Sequence, residues 1–143
     1  MISALYVVLG ALLLVTFSWQ VVRLRMLYRV SYGDGGFYEL QTAIRIHGNA
    51  VEYIPIAAIL LVMMEMNGAR VWMVHLCGIL LILGRIMHAW GLRQHEMHWR
   101  RSGMSATYLA LLLMVLANLY YLPWGKCCSA INRRPGGIAG FAP

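Results

Sequence analysis

Four polar side chains inside one hydrophobic run are the residues of this chain best suited to chemistry: Arg45, Asn49, Glu52 and Tyr53. Their offsets of 4, 7 and 8 residues from the arginine place them within about 100° of one another on an α-helix. An ionisable side chain at membrane depth costs about 2.5 kcal/mol or more, so such groups are seldom kept there without a function. The pattern predicts a polar, ligand-contacting face on a membrane helix.

A structural alternative for this face is an intramembrane ion pair. Arg45 and Glu52 carry opposite charges, but they are seven residues apart, beyond the i to i+4 spacing at which side chains of one helix meet. Each is therefore expected to reach a partner on another helix, on another subunit or on a ligand. The residues alone leave these options open.

The third apolar run carries a second polar pair, Arg85 and His88, whose i, i+3 spacing makes them neighbours on one helix face. The structural alternative here is that Arg85 pairs with Glu52. Two intramembrane arginines would then share one carboxylate, which leaves net positive charge inside the bundle. That excess favours an anionic ligand over a purely structural network.

A third candidate lies where the last apolar run begins, at Arg101 and Ser102. If Ser102 stands at a helix N-terminus, a cation, a hydroxyl and unpaired N–H groups could together stabilise an anion. Such a site would suit a thiolate, because a neighbouring cation favours the ionised form of a thiol. The alternative is that Arg100 and Arg101 only mark the membrane boundary.

The elements that must position these residues follow from composition. Of the 143 residues, 61% are hydrophobic and 12% charged, whereas a soluble domain has about 25% charged residues. Four apolar runs account for the excess, at residues 2–22, 46–64, 71–92 and 102–125. Each has the roughly 20 residues that a helix needs to cross a bilayer. The sequence predicts an all-α integral membrane protein, a left-handed up-down four-helix bundle over residues 1–124, and a disordered tail at 125–143 rich in Gly and Pro.

The net charge of +7 does not indicate nucleic-acid binding, because the basic residues cluster at the connections between spans one and two and between spans three and four. They are Arg23, Arg25, Arg29, Arg93, Arg100 and Arg101. The positive-inside rule places these two loops in the cytoplasm and both termini outside. The basic residues after the last span, Lys126, Arg133 and Arg134, favour the opposite orientation.

Metal binding is not predicted. The three cysteines, Cys77, Cys127 and Cys128, lack metal-ligand spacing. His95, Glu96 and His98 lie in a loop that is expected to be solvated, and they are a weak alternative.

The string R-x-x-x-N-x-x-E, formed by Arg45, Asn49 and Glu52, resembles the most specific motif of the membrane-associated proteins in eicosanoid and glutathione metabolism, the MAPEG family. Tyr53 extends the motif as in leukotriene C synthase, and Pro55 is similar to the bacterial branch. The resemblance covers roughly residues 2–124 and includes the four-span plan.

A second motif, R-x-x-H at Arg85 and His88 followed by Arg101 and Ser102, is similar to that of microsomal prostaglandin E synthase. The basic end of the first span at Arg23 is similar to the same branch. Two positions depart from the pattern, since Leu92 and Ser105 stand where several members have tyrosine.

The resemblance implies a homotrimer in a bacterial inner membrane that binds glutathione between neighbouring subunits near the cytoplasmic side. It implies glutathione contacts from Arg45, Asn49, Glu52, Tyr53, Arg85 and His88, with Arg23 as a further contributor. It assigns thiolate stabilisation to Arg101, helped by Ser102.

The activity that the resemblance implies is conjugation or reduction of a lipophilic electrophile by the glutathione thiolate, in a membrane transferase or peroxidase. The substrate would reach the site from the membrane lipids. Two alternatives remain open: a non-catalytic thiol- or lipid-binding membrane protein of the same fold, and a small ion or proton conductor.

Overall fold

The computed structural model describes residues 1–122, which form four helices connected by short loops. These are α1 (Ser3–Tyr28), α2 (Tyr38–Met66), α3 (Val71–Arg93) and α4 (Met97–Tyr121). Each is long and apolar enough to span a membrane, and no strand occurs within residues 1–122. The all-α, four-span prediction is therefore confirmed. The predicted tail at residues 125–143 lies outside the described residues.

Three of the helices extend well beyond the apolar runs that mark them in the sequence. α1 ends at Tyr28 instead of residue 22, α2 begins at Tyr38 instead of 46, and α4 begins at Met97 instead of 102. All three extensions lie at one end of the bundle. Hydrophobicity marks the part of a helix that matches the bilayer core, while helical hydrogen bonds continue into the polar boundary.

Contacts at the two ends of the bundle establish the up-down order. At one end, Glu65 near the end of α2 accepts hydrogen bonds from the backbone N–H groups of Ile2 (2.6 Å) and Ser3 (2.7 Å), which lie at the start of α1. At the other end, the Tyr38 hydroxyl is 3.0 Å from Nδ1 of His95, and the two rings stack. The α1–α2 and α3–α4 loops therefore lie on the same side.

Helices α3 and α4 form the most extensive interface of the bundle, and small residues allow it. A Cβ added to Gly103 of α4 would lie 2.5 Å from the backbone nitrogen of His88 on α3. A Cβ added to Gly91 of α3 would overlap the backbone nitrogen of Arg100 on α4. Such close backbone approach through small residues is typical of membrane helix pairs. It holds His88 against the helix that carries the two boundary arginines.

Two clusters of buried apolar side chains lie along the bundle. One is centred on Leu61, Leu81 and Met114 from three different helices. The other, around Phe17, Ile46 and Ile54, packs α1 against α2. Ile46 and Ile54 lie on the same helix as Arg45, Asn49 and Glu52, so this packing sets the position of that helix beside α1.

Candidate functional site

A pocket of about 550 Å³ opens between α2, α3 and α4, toward the end of the bundle that carries the α3–α4 loop. We call it the arginine pocket. It is lined by Arg45, Gly48, Asn49, Glu52, His88, Leu92, Met97, Arg100, Arg101 and Met104. The pocket thus collects side chains from three separate segments of the sequence.

Helix α2 supplies one wall of this pocket with Arg45, Asn49 and Glu52. These are the residues whose spacing predicted a shared face, and the structure brings them together. Tyr53 is absent from the lining and instead turns toward α4, where its hydroxyl lies 3.0 Å from that of Tyr108. Tyr53 lies at the edge of the predicted face, because it is eight residues after Arg45 and is rotated from it by about 80° around the helix axis. This rotation explains why it turns toward α4.

Arg85 lies behind the pocket wall and is only 2% exposed. Its Nη1 donates to the Asn49 side-chain oxygen at 2.7 Å. Its Nε and Nη2 donate to the Thr107 hydroxyl oxygen at 3.1 and 2.8 Å. The guanidinium carbon also lies 5.2 Å from the centre of the Tyr53 ring, within the range of a cation–π contact. Side chains of α2 and α4 therefore both bind the buried guanidinium that α3 carries.

The ion pairs considered from the sequence do not form within the described part of the chain. Among residues 1–122, the only ion pair joins the N-terminal ammonium to Glu65 at 3.7 Å. Neither Arg45 nor Arg85 contacts Glu52 in this way, and both Arg45 and Glu52 are exposed on the pocket surface. The positive charge of Arg85 consequently has neutral acceptors but no carboxylate partner in the described part of the chain.

Sequence reasoning did not identify two residues of α4. Thr107 contacts Arg85, and Tyr108 contacts Tyr53. The Thr107 hydroxyl also donates to the Gly103 carbonyl oxygen at 2.9 Å, so its lone pairs are directed at Arg85. A threonine bonded to the preceding helical turn is common in apolar helices, and no local spacing links it to an arginine 22 residues earlier. The one feature of the sequence that could have identified Thr107 is that it is a polar residue within an apolar run.

His88 is buried at the α3–α4 interface and lines the arginine pocket. Its Nδ1 lies 3.3 Å from the backbone carbonyl oxygen of Arg100. A carbonyl can only accept, so this contact places a proton on Nδ1. In the neutral ring, Nε2 is then the nitrogen that carries the free lone pair.

The predicted position of Ser102 at a helix N-terminus is wrong. Helix α4 begins at Met97, and the Ser102 hydroxyl donates to the carbonyl oxygens of His98 (2.9 Å) and Trp99 (3.2 Å) in the preceding turn. Ser102 does not line the arginine pocket, whereas Arg100 and Arg101 both do. The apolar run starts later than the helix because four of the first five helical residues are polar or aromatic boundary residues.

Arg23 also lies apart from the arginine pocket. It lines a second cavity of about 560 Å³ beside α1 and α2, which we call the boundary pocket. Leu24, Glu39, Ile46 and Arg93 are among its other lining residues. Within a single copy of the chain, Arg23 therefore does not line the same pocket as Arg45 or Arg101.

Within residues 1–122, no group of three or more His, Cys, Asp and Glu side chains is placed to hold a metal ion. His95 of the loop group instead stacks on Tyr38.

Comparison with known proteins places this chain in a family. The model of the MAPEG family matches residues 3–120, which is nearly the whole described part. The inner membrane protein YecN of Escherichia coli strain K12 is 71% identical over 124 residues, which cover 87% of this chain and 95% of that protein. YecN of Escherichia coli O6:H1 matches with the same identity and coverage.

Proposed function

Because the chain belongs to the MAPEG family, we propose that the arginine pocket binds glutathione and that the protein is a membrane glutathione transferase or peroxidase. Its second substrate would be a lipophilic electrophile that arrives through the bilayer. The observation that carries the proposal is the convergence of three guanidiniums, one carboxylate and one carboxamide on a single pocket.

The charges of the pocket match those of glutathione. Arg45, Arg100 and Arg101 contribute three positive charges to the lining, and Glu52 contributes one negative charge. Glutathione carries two carboxylates, one ammonium group and an ionisable thiol. Two arginines can therefore bind the carboxylates, Glu52 can bind the ammonium, and one arginine remains for the sulfur.

Arg85 has a positioning role in this proposal. Because its Nη1 occupies the Asn49 side-chain oxygen, the carboxamide nitrogen of Asn49 is the group available for a ligand. Asn49 then offers N–H donors to a carbonyl or carboxylate oxygen of the peptide. The buried charge of Arg85 behind this wall adds positive potential to a pocket that is to hold an anion.

Glutathione would supply a thiolate nucleophile, and the chain's residues would favour that form. Arg101 can stabilise a negative sulfur electrostatically. The free lone pair inferred for His88 Nε2 offers one acceptor for the thiol proton, and water is another. The remaining contribution is to hold the sulfur and a lipophilic electrophile together, which lowers the entropic part of the barrier.

Assembly into a homotrimer forms part of the same proposal. Glu52 lies near the middle of α2 and Arg45 two turns earlier, yet both side chains are exposed in the single subunit. Exposing a charged side chain to lipid at the centre of a span costs about 2.5–3.5 kcal/mol. Contact with further copies would shield this face. We also propose that the pocket faces the cytoplasmic side of a bacterial inner membrane, on the basis of the arginines that cluster at that end of the bundle, in and beside the ends of α1, α3 and α4.

The proposal is tested with the full chain purified in detergent. Calorimetry should detect glutathione binding, and a generic aromatic electrophile should be conjugated only when glutathione is present. Arg45→Gln should weaken binding, while Arg29→Gln, a matched change at an arginine outside the arginine pocket, should not. Binding without turnover of any electrophile or hydroperoxide would favour the non-catalytic thiol-binding alternative. Absence of binding would refute the proposal.

A further inference from the structure

The arginine pocket lacks a wall from one of the four helices. Its lining residues belong to α2, α3 and α4, and none belongs to α1. Arg45 and Glu52, on the α2 side, are exposed in a single copy of the chain. The assembly proposed above would cover this side, and α1 of a neighbouring copy is the element that the pocket still lacks. A cationic residue of α1 at this end of the bundle would therefore complete the site.

Arg23 is the residue of α1 that suits this position. Its side chain is exposed, and among residues 1–122 its guanidinium makes no hydrogen bond or ion pair. Arg25, by contrast, donates to the backbone carbonyl oxygen of Ser31 at 2.9 Å. Within its own copy, Arg23 lines the boundary pocket and not the arginine pocket. Its charge is thus available to an anion that another copy binds.

The end of α1 that carries Arg23 has no buried side chain to hold it. The last buried residue of α1 is Phe17, and none of residues 18–28 is buried. Two polar contacts instead join this end to other helices. The Tyr28 hydroxyl donates to the Glu39 carboxylate of α2 at 2.6 Å. The Gln20 side-chain oxygen accepts a hydrogen bond from the Arg93 guanidinium of α3. The direction of Arg23 therefore depends on side-chain contacts.

The contact between Gln20 and Arg93 is the one that bears on Arg23. Gln20 lies three residues before Arg23, so the two side chains share one face of α1, and both line the boundary pocket. Arg93 is the last residue of α3. It follows Gly91, where the backbone of α3 approaches that of Arg100 on α4. The bond from Arg93 to Gln20 consequently fixes the rotation of α1 relative to the closely packed α3–α4 pair.

We propose that Arg93 is a positioning residue for the glutathione site of a neighbouring copy: through Gln20 it orients α1 so that Arg23 reaches a carboxylate of the tripeptide bound there. This role rests on the proposed function, since it requires both glutathione binding and assembly. The competing role for Arg93 is electrostatic. It lies five residues after His88 on α3, so its charge could act on the arginine pocket of its own copy. The two roles differ in which copy's site is affected.

In detergent-purified full chain, Arg93→Gln should lower glutathione affinity about three- to tenfold, the scale of one hydrogen bond. The KM for glutathione should rise by the same factor while kcat stays nearly unchanged, which loss of folded protein would not produce. Arg93→Lys keeps a donor and should restore part of the affinity. The control Arg29→Gln removes the same charge at the same end of the bundle but lines neither pocket. Equal losses in Arg93→Gln and Arg29→Gln would overturn the proposal, because they would indicate general surface electrostatics.

Gln20→Leu separates the contact from the charge of Arg93. It removes the acceptor without changing the net charge, so it should weaken glutathione binding as much as Arg93→Gln does. The double variant Gln20→Leu/Arg93→Gln should lose no more affinity than either single variant, because both changes break one contact. Unchanged affinity in Gln20→Leu would overturn the proposal, since Arg93 would then act through its charge alone. Circular dichroism and gel filtration verify that each variant is folded and assembled.

Mixed assemblies decide which copy Arg93 serves. Two differently tagged chains are coexpressed, one with Arg45→Gln and the other with Arg93→Gln, and assemblies that contain both are isolated through the two tags. In a cyclic trimer of this kind, one site combines the intact arginine pocket of the Arg93→Gln chain with the intact α1–α3 contact of its neighbour. Calorimetry should therefore detect a site with wild-type glutathione affinity, which neither variant has alone.

The outcomes of this experiment separate the inference from the function on which it rests. If the wild-type chain binds glutathione and Arg45→Gln weakens that binding, but mixed assemblies regain no site of wild-type affinity, Arg93 acts within its own copy and only the inference is overturned. If the wild-type chain binds no glutathione, the proposed function and the inference both fail.

Discussion

The Arg85 guanidinium lies 2.7 Å from the side-chain oxygen of Asn49, and this contact joins α3 to α2 directly behind the arginine pocket. Only one of the two residues lines the pocket. The bond determines which end of the Asn49 carboxamide is free. The contact therefore has a structural role, in joining two helices, and a proposed role in presenting the Asn49 amide to a ligand.

Asn49→Asp keeps an acceptor for Arg85 and removes the N–H donors from the pocket. It also gives the buried guanidinium a carboxylate partner, so thermal stability in detergent should be retained or raised. Glutathione affinity should fall at least about tenfold, the scale of one lost charge-assisted hydrogen bond. Calorimetry and a melting curve measure the two effects. Unchanged affinity would mean that the Asn49 amide does not face the ligand.

Thr107 supplies the acceptor for two other Arg85 donors. Thr107→Val preserves the side-chain shape but leaves those buried donors unsatisfied, and it should lower the free energy of unfolding by about 2 kcal/mol. Thr107→Ser keeps the hydroxyl, so its free energy of unfolding should fall much less than that of Thr107→Val. Denaturant unfolding in detergent micelles measures both. If the two variants had equal stability, the Thr107 hydroxyl would not be supporting Arg85.

Arg101 is expected to act on the reacting sulfur. Arg101→Ala should reduce kcat far more than glutathione affinity, and Arg101→Lys should restore part of the rate because a point charge remains. The ultraviolet absorbance of the bound thiolate should also fall in the Ala variant at neutral pH.

Arg100 provides the internal comparison, since it lines the same pocket. Arg100→Ala is expected to weaken glutathione binding while leaving kcat nearly intact, because its proposed partner is a carboxylate and not the sulfur. Similar kcat losses at Arg100 and Arg101 would indicate a shared electrostatic field and contradict the specific assignment of Arg101.

Glu52→Gln should weaken glutathione binding by roughly tenfold or more, because the ammonium group of the tripeptide loses a charged partner. It should also weaken assembly if this face is shared between copies. Light scattering of the detergent complex and calorimetry test the two parts separately. Normal assembly together with unchanged affinity would show that Glu52 has neither role.

Gly103 tests the close packing of α3 and α4. Gly103→Ala places a methyl group 2.5 Å from the His88 backbone nitrogen, so the helices must separate and stability should fall by roughly 1–3 kcal/mol. Gly48→Ala is the matched control, since its Cβ would meet nothing within 4 Å. In a helix this control should be neutral or stabilising by up to about 1 kcal/mol. Gly103→Ala should therefore have the lower melting temperature of the two variants, and the opposite order would contradict the prediction.

Hydrophobic run length was sufficient to predict the number of helices and their up-down order, because each span needs a minimum apolar length and the loops between spans are short. It was insufficient for the helix ends. The start of α4 at Met97 moved Ser102 into the helix interior, where its hydroxyl bonds the preceding turn. Helical hydrogen bonding does not stop where hydrophobicity does.

The sequence by itself determined the shared face of Arg45, Asn49 and Glu52, since side chains on one helix are related by a fixed rotation per residue. Only the tertiary structure decided that Arg85 turns inward to Thr107, that Tyr53 meets Tyr108, and that Arg23 lies in a different pocket. These relationships depend on how far apart the helices pack and how each is rotated about its axis. Both are set by contacts between residues distant in the chain, such as the approach of Gly103 to His88.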